Sequence, residues 1–142
     1  MKAHIVDYVD FLSKQKQRKL INRIKLILKY LRLSSNKDLC ITFIDDKGMR
    51  KLNSTYRGIK RTTDVLSFPQ DGPDTQSLGD IIISIDTAKR HARFYKISLQ
   101  REIMKLIIHG ILHILGYDHK KKNDASKMKK KEKELVHLIN LN

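Results

Sequence analysis

One cysteine, no tryptophan, two prolines and six glycines are all that this 142-residue chain carries of the residues that staple, stack or punctuate a fold. A lone thiol, Cys40, cannot form an intrachain disulfide, so apolar packing must hold the core, and a reducing, cytoplasmic setting is expected. With 40% hydrophobic residues a chain of this size closes one core, and residues 1–142 are expected to form a single domain. Aromatic residues make up only 6%, which gives little support to a base-stacking surface. The longest apolar runs, such as Leu106-Ile107-Ile108, fall far short of the ~20 residues that span a bilayer, so no membrane helix is expected. The opening residues, MKAHIVD, meet an acid before any apolar stretch develops, unlike a secretory signal.

Acid is scarce as well: 15 Asp+Glu face 30 Lys+Arg, a formal net charge of +15. Such a surface concentrates polyanions and predicts salt-sensitive binding of nucleic acid. The plainer alternative is a solvated lysine surface in a chain rich in Lys and Ile.

Residues 4–11 and 38–44 read as strands around a helix whose face is Leu20, Ile24, Ile27, Leu28 and Leu31. Asp45 or Asp46 can cap a helix reaching Tyr56. A polar loop follows over 57–63, then a short strand over 64–68, a turn-rich stretch over 69–77 and a strong strand over 79–85. Asp86, Ser98 and either Asn123 or Asp124 can cap three further helices. Strands and helices alternate without a strict βαβ repeat. The expected architecture is therefore α+β: a small mixed sheet packed with helices, one of them central and buried.

That central helix, Leu99 to Leu115, is apolar nearly all round, and inside it stand His109 and His113. Four residues apart, they lie about 40° apart around the axis and about one turn along it, so both imidazoles can converge on one point. Gly116 can end the helix, and the chain then reaches His119. Three neutral imidazoles suit a Zn²⁺ ion with its fourth position open, the arrangement of a catalytic rather than a structural site. Nickel, copper or iron would also accept such ligands. The spacing is that of the metzincin peptidases, but Gly110 replaces the glutamate that serves them as general base, which argues against peptide hydrolysis. Met128, flanked by lysines, is a poor candidate for their Met-turn. His4, His91 and His137 each stand alone and read as structural or surface residues.

The block His109–His119 (HGILHILGYDH), together with LNSTYRGIKRTTDVLSFP over 52–69, Leu78-Gly79-Asp80-Ile81 and Glu102, resembles the YbeY-like bacterial rRNA maturation endoribonucleases. The resemblance spans about the middle half of the chain, in the family's order. It implies a zinc-dependent α+β domain that cleaves single-stranded RNA in rRNA maturation and ribosome quality control, on or near the small ribosomal subunit, with no DNA or membrane partner. It also implies that His109, His113 and His119 hold the metal, that His109 belongs to the catalytic centre, and that Arg57 is the family's functionally important arginine. Thr62 stands where the family commonly has Pro, which is expected to loosen the loop; Ile114 replaces the usual Leu and keeps an apolar volume. An RNA- or ribosome-binding module with structural zinc is the alternative of another class, and a metzincin-like peptidase the other enzyme reading.

From the residues alone, Arg57 ends a helix before a loop, where its charged fork suits phosphate oxygens. Metal-bound imidazoles usually donate their other N–H to a carboxylate or carbonyl, and Asp64, Asp80 and Asp118 all qualify as that partner. Cys40 reads as a small core residue and Ser67 as a strand serine. Lys120-Lys121-Lys122, Lys127 and Lys129-Lys130-Lys131 follow the third histidine and are expected to line the outer face of a last helix packed through Met128, Leu135, Leu138 and Ile139. If they hold phosphates, RNA affinity falls by roughly 0.7 log units per decade of salt for each phosphate neutralised. Replacing Lys120–Lys122 with Gln then flattens that slope in a salt titration; an unchanged slope assigns these lysines to solvation alone.

Overall fold

Each of the first four helices begins on a side-chain oxygen that accepts a main-chain N–H three residues on: Ser13 from Lys16, Asp45 from Gly48, Ser84 from Thr87 and Ser98 from Arg101. The computed structural model describes residues 2–33, 37–70, 77–117 and 121–139. Its elements run β1 (Lys2–Asp7), α1 (Lys14–Tyr30), β2 (Asp38–Ile44), α2 (Asp46–Arg57), β3 (Val65–Pro69), β4 (Ser77–Ser84), α3 (Ile85–Tyr95), α4 (Leu99–Ile114) and α5 (Lys122–Leu138). The strands form one mixed sheet in the order β1-β2-β4-β3. β1, β2 and β4 are parallel, and β3 returns antiparallel on β4. This is the expected α+β architecture.

Three boundaries differ from expectation. The first strand stops at Asp7 instead of running to residue 11, because the Asp7 carboxylate accepts the N–H groups of Val9, Phe11 and Leu12 and turns the chain. The third helix is capped by Ser84, the last residue of β4, so Asp86 falls inside its first turn. In α5 neither Asn123 nor Asp124 is a cap; the helix starts after Lys121 with no side-chain cap hydrogen bond.

Alternation along the central strands buries Leu39, Ile41 and Phe43 of β2 beside Ile81 and Ile83 of β4. These residues share one core cluster with Leu20, Ile24, Ile27 and Leu28 of α1 and with the apolar faces of α4 and α5. Gly110 brings α4 against the sheet: a Cβ there would lie 2.9–3.1 Å from three side-chain carbons of Ile81. Between Glu102 and Leu112 only Lys105 and His109 escape burial, so α4 shows a single stripe to its surroundings.

Asp46, at the start of α2, ties that helix to its neighbours. It accepts hydrogen bonds from Ser84 Oγ (2.6 Å), Thr87 Oγ1 (2.6 Å), Thr62 Oγ1 (3.1 Å) and Arg90 Nη1 (2.8 Å). Thr62 therefore fastens its loop through a hydroxyl rather than loosening it, a bond that proline cannot make. Partial burial pushes the Asp46 carboxyl up, but the Arg90 guanidinium and the three hydroxyls outweigh it and hold the group well below the usual carboxylate range. A depressed folded pKa means the stabilisation is complete above the ordinary carboxyl value of about 4 and is lost as pH falls from there. Asp46→Asn is expected to cost about 1.5–3 kcal/mol at neutral pH. In urea titrations that gap should narrow progressively in acid, and a gap independent of pH would show that Asp46 does not act through its charge.

Candidate active site

The stripe left open on α4 continues to His113, so Lys105, His109 and His113 follow one another at four-residue spacing. The Nε2 atoms of His109 and His113 lie 3.1 Å apart, with ring centroids 4.6 Å apart and ring planes at 72°. On its other side, His109 Nδ1 lies 3.1 Å from Glu132 Oε1 of α5. In the tautomer with its proton on Nδ1, His109 donates to Glu132 and turns the Nε2 lone pair towards His113. Two nitrogens bound at about 2.0–2.1 Å in a tetrahedral site lie about 3.3 Å from each other, close to the separation found here. The pair fits a metal ion.

His119, together with Asp118 and Lys120, lies outside the described residues. Gly116, with φ +96°, makes the left-handed turn at the end of α4. Lys121, Lys122, Lys127, Lys129 and Lys130 are exposed, while Lys131 is half-buried and pairs with Glu134 at 3.0 Å. The inner face of α5 is the expected one: Met128, Leu135 and Ile139 are buried. Met128 sits in the helix, not in a turn, and lines a cleft of about 480 Å³ with His109, Ala125, Ser126, Lys129 and Glu132. His4 and His91 are surface residues facing Asp38 and Asp64, and His137 is exposed.

Glu132 was not among the carboxylates proposed from sequence as partners for the histidines. The structure gives two of those carboxylates other work: Asp64 accepts from the Val65 N–H at 2.8 Å, and Asp80 faces Cys40. Cys40 is half-buried rather than a core residue; burial, helped by Asp80, pushes its thiol pKa up against the opposing hydrogen bond with Thr42. A signal for Glu132 was present. It stands four residues after Met128 and three before Leu135, on the apolar face of α5, where an acid needs a partner.

Arg57 is the last residue of α2, exposed, with Gly58 at φ 68° turning the chain away behind it. No hydrogen bond or ion pair joins it to either histidine among the described residues. A chain of packing does lead between the two helix ends. Tyr56 meets Phe68 of β3 edge to face with ring centroids 5.4 Å apart, the Phe68 carbonyl lies over Gly79 of β4, and Gly79 packs against Ile114, next to His113. A Cβ at Gly79 would lie 2.6 Å from that carbonyl and 2.9 Å from Ile114 Cδ1.

A small mixed sheet thus carries a buried helix with one open histidine stripe, and a carboxylate from the last helix meets the first of its two histidines. The family model described as Endoribonuclease YbeY matches residues 6–140. Relatives named Endoribonuclease YbeY include that of Nautilia profundicola, 39% identical over 133 residues, covering 94% of this chain and 92% of the relative, and that of Acholeplasma laidlawii, 37% identical over 133 residues and covering 94% and 97%. That of Myxococcus xanthus is 41% identical over 107 residues, which cover 72% of this chain but 36% of that longer protein. The solution structure of TM1509 from Thermotoga maritima has the same fold, with a TM-score of 0.67 at 24% identity, covering 96% of this chain and 88% of that one. The chain belongs to the YbeY family.

If Glu132 steadies a metal-binding imidazole, Glu132→Gln should weaken Zn²⁺ affinity by about 10–100-fold with the fold intact. His113→Ala should weaken it further. Competition with a chromophoric chelator measures both, and wild-type affinity in Glu132→Gln would make that contact a helix-packing bond only.

Proposed function

We propose that this protein is a zinc-dependent endoribonuclease that cleaves single-stranded RNA in the cytoplasm, in rRNA maturation and ribosome quality control at the small subunit. The observation that carries the reading is the convergence of the His109 and His113 Nε2 atoms at 3.1 Å, with Glu132 fixing the His109 tautomer, in a chain of the YbeY family. His119 completes the proposed ligand set. When bound, zinc supplies a Lewis acid for a phosphoryl oxygen.

The chain's own residues supply the rest. Glu132 accepts a hydrogen bond from His109 Nδ1, which fixes the orientation of the ring and leaves Nε2 as the atom that would bind the metal. Lys129, on the rim of the cleft beside His109, and Lys105, one turn before it, offer cations to the phosphates flanking the scissile one. Arg57 presents a guanidinium without an ion-pair partner among the described residues, the form suited to charge that grows on phosphoryl oxygens. Peptide hydrolysis with a glutamate at position 110 is disfavoured on steric grounds, because a side chain there would run into Ile81.

Incubation of the metal-quantified protein with a single-stranded RNA and with casein, with and without chelator, tests the reading. RNA cleavage lost on chelation and restored by Zn²⁺ is expected; casein cleavage, or RNA cleavage indifferent to chelator, contradicts it. Arg57→Ala should lower single-turnover cleavage by about 10²–10³ with zinc content and melting temperature unchanged, and Arg57→Lys should restore part of the rate. Full activity in Arg57→Ala removes it from the centre.

A further inference from the structure

The few aromatic residues of this chain are not spread evenly. Phe94 and Tyr95, consecutive at the end of α3, are 79% and 58% exposed, and Phe94 is the most exposed of the large hydrophobic residues described. Their rings meet edge to face, with centroids 5.1 Å apart at 88°. Each leaves apolar area in water that burial would stabilise.

Their surroundings are cationic. Lys105 Nζ of α4 lies 5.4 Å from the centre of the Tyr95 ring, and Arg93 and Lys96, on either side of the pair, are both exposed. His91 approaches the same ring at 6.3 Å. The acid nearest Lys105 is Glu102, 3.7 Å from its nitrogen but 3% exposed, so its charge is turned inward. Asp64 faces His91 at 3.6 Å. Exposed aromatic faces set among outward cations are what a single nucleic-acid strand requires, a π-face for a base and charge for its phosphates; an apolar protein partner would gain nothing from the cations.

Position then ties the patch to the candidate active site. Lys105 begins the open stripe of α4 that leads to His109 and His113, about 6 and 12 Å along the helix axis. At a stacked spacing of about 3.4 Å per base, those distances correspond to about two to four nucleotides.

We infer that Phe94 and Tyr95 form a base-stacking platform for single-stranded RNA, which holds the strand a few nucleotides from the histidines while Lys105 contacts the intervening phosphate. The inference rests on the RNA-cleaving reading and adds to it a direction for the strand, along α4 towards the end of α3. Sequence composition gave little support to such a platform. Folding makes it by leaving two adjacent rings uncovered at one helix end.

The test is the affinity of the zinc-loaded protein for a fluorescein-labelled 2′-O-methyl uridine dodecamer, a strand that lacks the free 2′-hydroxyl, measured by anisotropy. Tyr95→Ala and Phe94→Ala should each weaken binding by about 5- to 150-fold. Tyr95→Phe should bind like the wild type, and Tyr95→Leu, apolar but without a π-face, should bind like the alanine variant. Tyr8→Ala, which removes another ring that is 75% exposed, should change nothing. Melting temperatures near wild type are expected throughout, since the rings lie outside the core. If Phe94→Ala and Tyr95→Ala bind as tightly as Tyr8→Ala, or Tyr95→Leu binds like the wild type, the platform is overturned while the cleavage reading stands. A wild-type protein that neither binds nor cuts RNA overturns both.

Discussion

The packing of α4 against the sheet at Gly110 is the constraint on which the rest of the molecule depends. At that point the helix backbone approaches Ile81 too closely for even a methyl group to intervene without displacement. The contact sets the rotation of α4 about its axis, and that rotation decides which residues face inward. With Ile107, Ile108, Ile111 and Leu112 turned into the core, His109 and His113 are left on the one open stripe, and their rings converge as a result of apolar packing on the other side of the same helix. The glycine that removes the peptidases' general base is thus the residue that aims the histidines.

Around that helix the structure spends its few acidic groups on positioning. Asp7 turns the chain after the first strand, Asp45 caps α2, Asp46 gathers hydroxyls from a loop and from the start of α3 together with the Arg90 guanidinium, and Glu132 holds an imidazole. In a chain with twice as many bases as acids, carboxylates so engaged leave most of the positive charge facing outward. The basic surface is therefore partly a product of where the acids are used, and the same economy leaves Lys105 and Lys129 beside the histidines.

Much of this was legible in the sequence, because the signals were periodic. The apolar helix with histidines four apart, the alternation in residues 38–44 and 79–85, the cap at Ser98 and the choice of Asp45 or Asp46 as the cap of α2 each follow from a local rule. What escaped was set by tertiary partners. The early end of the first strand depends on one carboxylate reaching three amides, Glu132 reveals its role only once α5 lies on α4, and Thr62 is read as a loosened loop until Asp46 is seen beneath it. Phe94 and Tyr95 carry no periodic signature; their exposure depends on where α3 stops.

The order of the strands also bears on synthesis. The central pairing joins residues 38–44 to residues 77–84, and the helix that covers it comes later still, over residues 99–114. During synthesis β1, α1 and β2 can form early, but the sheet is not closed, nor α4 docked, until residues 99–114 have been made. The carboxylate that steadies His109 arrives last of all, on α5. The histidine pair is thus completed only in a molecule whose core has already formed, which keeps partly made chains from presenting a finished centre.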